Sequence, residues 1–324
     1  MSVARCGDRR VESRVVVGEN ARARVLRRGG VRIHLVRLLL VGVIVALCGG
    51  CVVNDEGLVP EGPPLTVQKV PEIAALLPPK VAETGKLQIG VNIPYAPNEF
   101  KDADGNIVGF DVDLMKAVAA VLGVEAVFNQ ADFDKIIPAI QSGSYDMGMS
   151  SFTDSKEREK TVDFVTYYSA GIQWAQRPDN PVDPNNACGL RVAVQTTTTE
   201  DIDEVPAKSE ACVAAGKPPI EKVKYDSQDD AANALILGRV DALSADSPVT
   251  GYAIKRSKGR MEAAGEPFDS APYGWPIVKG SELGPALQQA MQYLIDNGVY
   301  QQIAQTWSVE AGVIEVSKIN GAES

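Results

Sequence analysis

The feature that most limits how this chain folds is a rhythm of strand and helix patterns. L-Q-I-G-V (Leu87–Val91) alternates like a strand. D-V-D-L-M-K-A-V-A-A-V-L-G, Asp111 to Gly123, has apolar residues at helical spacing, acids at its start and glycine at its end, all helix signals. Val124–Phe128 reads as a strand, Phe133–Gly143 as a helix and Tyr145–Ser150 as a strand, with D-G-N (Asp104–Asn106) as a hairpin turn. The rhythm returns later. Arg191–Gln195, Lys222–Tyr225 and Arg239–Ala245 read as strands, and Gln228–Gly238 and Pro248–Lys258 as helices. Helices around Leu283–Asn297 and Val299–Trp307 close the chain. Strands separated by helices return by crossovers and build a parallel sheet. The expected class is α/β in two units, parted by the proline-rich Arg177–Pro184, with no short-period repeat.

The first fifty residues differ in character. Residues 1–37 hold ten arginines and three acids, followed by the eleven-residue apolar run Leu38–Cys48. Such a run suits an export signal and is too short for a bilayer span, which needs ~20 residues. It enters C-G-G-C, Cys48 to Cys51. Small residues before a cysteine resemble the lipobox of bacterial lipoproteins, which implies a cut after Gly50 and lipid on Cys51. The departure is Cys48 where Leu usually stands. Residues 1–50 are therefore expected to be a signal peptide with a lipobox; the alternative is an uncleaved amphipathic tail. The arginine-rich stretch is longer than an export signal needs, leaving Met1 and a position near Val31 as alternative starts.

Removing that segment leaves 22 basic and 39 acidic residues, a balance of −17 instead of −10. So acidic a chain repels phosphate backbones, and nucleic acid is not an expected partner. The single histidine, His34, leaves with the signal. That excludes Ser-His-Asp and Cys-His catalysis and argues against zinc. There is no G-x-x-x-x-G-K-[ST] or G-x-G-x-x-G loop, so no cofactor and no metal are expected. Residues 51–84 carry Pro60, Pro63, Pro64, Pro71, Pro78 and Pro79 and are expected to be an extended tether with one short helical run around Glu72–Leu77. Besides Cys51, Cys188 and Cys212 are the remaining cysteines, and in an exported chain they are expected to pair; the alternative is two free buried thiols.

The most informative window is S-S-F-T-D-S-K-E-R, Ser150 to Arg158. Asp154 and Glu157 fit a D-x-x-E capping box, so a helix is expected just after Thr153. Ser151 and Thr153 then stand at a helix N-terminus, whose free N–H groups attract an anion, and Arg158 can fork onto a carboxylate. A capped surface helix with a solvated arginine fits the same pattern. Asp246 closes a strand ahead of Ser247-Pro248, as a cation partner or a plain N-cap. An anion site in one unit and an acid in the other suggest a zwitterion held between them. Tyr95 and Phe133 serve as aromatic walls or as core. Asp102, Asp104 and Asn106 begin like a calcium loop, but Ile107 takes the required glycine position, so a turn is expected.

G-V-N-I-P-Y-A-P-N-E-F, V-G-F-D-V-D-L (Val108–Leu114), I-I-P-A-I-Q-S-G-S-Y-D (Ile136–Asp146), T-D-S-K-E-R-E-K-T-V-D-F (Thr153–Phe164), R-V-A-V-Q-T-T-T-T, G-R-V-D-A-L-S-A-D and the closing Trp307 occur together. Over nearly all of residues 85–310 this combination resembles the extracellular solute-binding proteins, family 3, of bacterial amino-acid ABC importers. The resemblance implies a two-lobed periplasmic-binding-protein-like fold (type II), with the ligand cleft between lobes joined by a two-stranded hinge. Lobe one would be residues 85–177 plus 275–324, and lobe two 183–270. The ligand α-carboxylate would lie on Arg158, with Ser151, Phe152 and Thr153 beside it, and the α-ammonium on Asp246. Tyr95 and Phe133 would line the side-chain pocket, and Thr198 and Thr199 would meet the carboxylate from lobe two. Asn92 stands where several binders of basic amino acids carry an acid, and its neutrality disfavours lysine or arginine. Thr197 replaces the usual glycine of Q-x-G-T-T, and Asn98 stands where Phe is frequent.

The resemblance thus implies a monomeric, lipid-anchored receptor on the outer face of the cell membrane. It would capture an amino acid and deliver it to an ABC permease and its ATPase. The alternative is an enzyme of the same fold, cyclohexadienyl dehydratase-like. An enzyme needs a positioned acid or base in the cleft, and Asp246 is already committed to the ligand. A surface lipoprotein without a ligand is a third possibility.

Overall fold

A computed structural model describes residues 59, 60, 62 and 66–323. The expected signal peptide, lipidation at Cys51 and the first part of the tether lie outside the described residues. The strands are β1 Lys86–Val91, β2 Phe100–Lys101, β3 Ile107–Val108, β4 Glu125–Gln130, β5 Met147–Gly148, β6 Val162–Gln176, β7 Arg191–Gln195, β8 Glu221–Tyr225, β9 Ala242–Asp246 and β10 Glu262–Val278. One sheet runs β4-β1-β5-β10-β6-β9-β7-β8, and β2 pairs with β3 as a hairpin. β1 is parallel to β4 and β5, and β7 is parallel to β8 and β9. Each half is thus a three-stranded parallel unit whose first strand lies in the middle, as helical crossovers dictate. The helices Phe110–Leu122, Phe133–Gln141, Gln228–Ile236 and Ser247–Arg256 fall where the apolar spacing places them.

Two long strands were not visible in the sequence. β6 is 15 residues and β10 is 17, and they pair antiparallel from Glu262↔Gln176 to Val278↔Val162. β6 is buried along nearly its whole length, so it shows no alternation of polar and apolar residues. β10 is broken by Gly265, Pro267, Pro272, Gly274 and Pro276, and its register shifts three times. This pair is the two-stranded connection between the lobes. The hydrophobic cores part on it: β6 gives Ala170 to one and Ile172 to the other, and β10 gives Tyr273 and Ala264. Gly171 stands at the divide. A Cβ there would lie 2.8 Å from the Phe268 carbonyl oxygen, so the strands cross this closely only at glycine.

The expected tether stops short of residue 84. Pro71–Ala74 and Pro79–Thr84 are short helices, with Ile73 and Val81 buried in the first core. The Val70 amide donates to the Val121 carbonyl at 2.9 Å. Proline here starts helices at their first turn, where its missing N–H costs nothing. The β2–β3 turn forms as expected, with Asp102 Oδ1 accepting the amides of Asp104 (2.9 Å) and Asn106 (2.8 Å). No group of metal-ligating side chains occurs among the described residues. Cys188 and Cys212 form a disulfide, with Cα atoms 5.5 Å apart, that ties the loop before β7 to the helix Val205–Ala214.

Candidate functional site

A narrow cleft, with about 10 Å³ of space open to water, lies between the lobes, beyond the C-terminal ends of β1, β5, β7 and β9. Open α/β sheets bind ligands at this edge. Lobe one lends Asn92 and Tyr95 after β1, Phe133 from the start of its helix, and Ser150, Ser151, Thr153 and Arg158 after β5. Lobe two lends Gln195 at the end of β7, then Thr198, Thr199 and Glu200, and Asp246 at the end of β9. Nine of the ten expected residues therefore border one cavity. Phe152 does not. It is 1% exposed and stacks beneath Phe133, with ring centroids 4.3 Å apart, inside the cluster of Ile136, Ile140, Val162 and Phe164. Ser150, Gln195 and Glu200 were outside the expected set; the strand end at Gln195 and the acid directly after T-T-T-T were the available signals.

The helix carrying Arg158 is a single turn, Lys156–Glu159, capped by Ser155, whose Oγ accepts the Arg158 amide at 3.3 Å. The expected capping box does not form. Asp154 turns away and accepts the Gly321 amide at 2.7 Å, a partner from the far end of the chain. Anion attraction therefore rests on the guanidinium. Nη1 donates to the Thr153 carbonyl at 2.9 Å and Nη2 to the Thr197 carbonyl at 3.0 Å. The group also lies 5.9 Å from the Phe133 ring centroid and 5.7 Å from that of Phe152, within cation–π range. Five donors minus these two leave three N–H groups for a carboxylate. Burial pushes the Arg158 pKa down, opposed by the charges of Glu200 and Asp246.

Across the cleft, the Tyr95 hydroxyl donates to Asp246 Oδ2 at 2.5 Å, Gln195 Nε2 to Asn92 Oδ1 at 2.8 Å and the Thr199 hydroxyl to Thr153 Oγ1 at 3.1 Å. With Arg158 to Thr197, these hold the lobes together in a closed arrangement. Burial raises Asp246 to about 6, while the Tyr95 and Tyr273 hydroxyls and the Arg158 charge hold it down. Glu200 is raised to about 8, first by burial and then by Asp246. Thr197 has φ +64°, the left-handed region that explains the glycine usual there; its amide donates to Asp201 Oδ2 at 2.8 Å.

Behind the lobe-one wall lies a buried carboxyl pair. The Ser150 hydroxyl donates to Glu99 Oε1 at 2.8 Å, and the Ser151 and Tyr167 hydroxyls reach Asp111 Oδ2 at 3.2 and 2.5 Å. Asn98 Nδ2 donates to Ser151 Oγ at 2.8 Å, so this side chain orients the wall from behind. Burial, then the neighbouring Asp111, raises Glu99 well above the usual carboxylate range.

Residues 87–310 match the sequence profile of the bacterial extracellular solute-binding proteins, family 3. The chain is 46% identical over 273 residues to the arginine-binding protein ArgT of Corynebacterium glutamicum, covering 83% of this chain and 90% of that one. Among solved structures it is similar to an ancestral arginine-binding protein bound to arginine, at 34% identity and a TM-score of 0.63, over 69% of this chain and 98% of the other. An ancestral arginine-binding protein bound to glutamine is similar at 33% identity and a TM-score of 0.63, over 70% and 99%.

Proposed function

Because the chain belongs to the bacterial extracellular solute-binding proteins, family 3, we propose that it holds an amino acid between its lobes and delivers it to an ABC importer. The observation that carries this reading is the placement of Arg158 and Asp246 from opposite lobes on one closed cavity. A guanidinium fork and a carboxylate there complement the α-carboxylate and α-ammonium of one zwitterion. Asn92, Tyr95, Phe133, Ser151, Thr153, Thr198 and Thr199 form the remainder of the grip. L-Arginine is the first candidate, since relatives and structural neighbours are named for it. The protein binds and does not catalyse. Its relatives are binding proteins.

Differential contact in the cleft favours the closed arrangement, which the permease reads. We take residues 85–177 plus 275–324 as lobe one and 183–270 as lobe two. The monomeric receptor is tethered through lipid on Cys51 to the outer face of the cell membrane, in keeping with the lipobox-like C-G-G-C. A thermal-shift screen of the protein against the twenty amino acids tests the ligand class: arginine or a close relative raises Tm in proportion to the logarithm of its excess over Kd. No shift with any amino acid refutes the reading. Cys51→Ser tests the anchor, by moving the protein from the membrane fraction to the medium.

A further inference from the structure

The acids of E-D-I-D-E, Glu200 to Glu204, meet different fates. They form a wide π-helical turn, a geometry concentrated at functional sites. Asp201 pairs with Lys222 at 2.8 Å and Lys224 at 3.0 Å. Glu204 accepts from Trp174 Nε1 at 3.1 Å and the Ser244 hydroxyl at 3.0 Å. Asp203 is exposed. Glu200 is 2% exposed and borders the cavity, and its Oε1 has no hydrogen-bond partner among the described residues. A buried carboxylate oxygen left unpaired costs stability unless something arrives to meet it.

The charge balance says what should arrive. The ionisable groups on the cavity wall are Arg158, Asp246, Glu200 and the Tyr95 phenol. A zwitterion on Arg158 and Asp246 neutralises those two and leaves Glu200 alone. We propose that Glu200 receives the cationic end of the ligand side chain and so selects a basic amino acid over its neutral isosteres. This rests on the amino-acid reading above and adds the residue that chooses among amino acids. The neutrality of Asn92 loses its weight against a basic ligand. That amide is engaged by Gln195 and by the Ala131 carbonyl (3.0 Å), and the negative charge enters from the other lobe. Without a ligand, Glu200 is raised to about 8, chiefly by burial, with Asp246 and Glu204 adding repulsion and the Thr198 hydroxyl and its own amide holding it down. It therefore rests mostly protonated at neutral pH and gives its proton to solvent when a guanidinium or ammonium arrives.

Calorimetry on the full chain tests this, with L-arginine, L-lysine and neutral L-citrulline as probes. The wild type is expected to prefer arginine over citrulline, and Glu200→Gln to cut that ratio by roughly thirtyfold or more, as for a charge left without its partner. Repeating wild-type titrations at about pH 7 in buffers of different ionisation enthalpy reads the proton: most of one released per arginine, little per citrulline. This second readout needs no variant to fold. An unchanged arginine-to-citrulline ratio in a folded Glu200→Gln, or equal proton release with both ligands, overturns the role of Glu200 while the amino-acid reading stands. Binding of no amino acid by the wild type overturns both.

Discussion

Arg158→Ala is the most direct test of how the cleft works. The guanidinium is fixed by two carbonyls, one from each side of the cleft, and by two aromatic rings. It meets a carboxylate already oriented, so ordering costs little on binding. Truncating one partner of such a buried charge pair costs ~2–5 kcal/mol. The lost bond to the Thr197 carbonyl removes a further ~1 kcal/mol from the closed arrangement that binding favours. Affinity is thus expected to fall by on the order of a thousandfold, at 1.4 kcal/mol per factor of ten. Arg158→Lys keeps the charge and loses the fork, and should fall between wild type and alanine. Isothermal titration with the tightest ligand measures all three proteins, and ligand-free melting separates binding from folding. An alanine variant that melts normally and binds within about threefold of wild type removes Arg158 from the carboxylate site, and the zwitterion argument with it.

The ligand-free protein should lose stability as pH rises from about 4 to 8. Asp246 and Asp111 (both about 6), Asp154 (about 7) and Glu200 (about 8) are raised by burial, so the folded chain holds more protons than the unfolded one across that window. Asp163, Asp201 and Asp241 are held low by hydrogen-bond partners and act the other way, with stability lost as pH drops below about 4. A Tm that climbs between pH 5 and 8 contradicts the raised set. Reducing Cys188–Cys212, which closes a loop of 24 residues, should cost ~3 kcal/mol on the chain-entropy model, or a Tm drop of ~6–12 °C. Melting with and without reductant checks it, and a drop of under about 2 °C shows that the crosslink constrains little. Thr197→Gly relieves a β-branched residue from the left-handed region at ~1–2 kcal/mol, less ~0.5–1 for glycine's extra freedom when unfolded. A small net gain in chemical-denaturation stability is expected, and a loss shows that the Thr197 side chain contributes contacts beyond its backbone.

The sequence alone determined the local elements and most of the residues at the cleft. Apolar spacing and glycine stops place the helix Phe110–Leu122, and short strands such as β1 and β7 announce themselves, because these signals act within a few residues. Family-like motifs pointed to Tyr95, Arg158 and Asp246 one by one. Tertiary structure decided what depends on distant partners. Asp154 was claimed by Gly321 and not by its own helix, a competition no local pattern reveals. β6 and β10 were hidden because burial on both faces and repeated prolines erase the alternation by which strands are read. Phe152 and Phe133 carry the same side chain, yet only packing decides that one walls the cavity and the other supports it. Glu200 differs from Asp201 and Glu204 only in what the fold leaves opposite it. Sequence spells out charge, but pairing and burial are properties of three-dimensional neighbours.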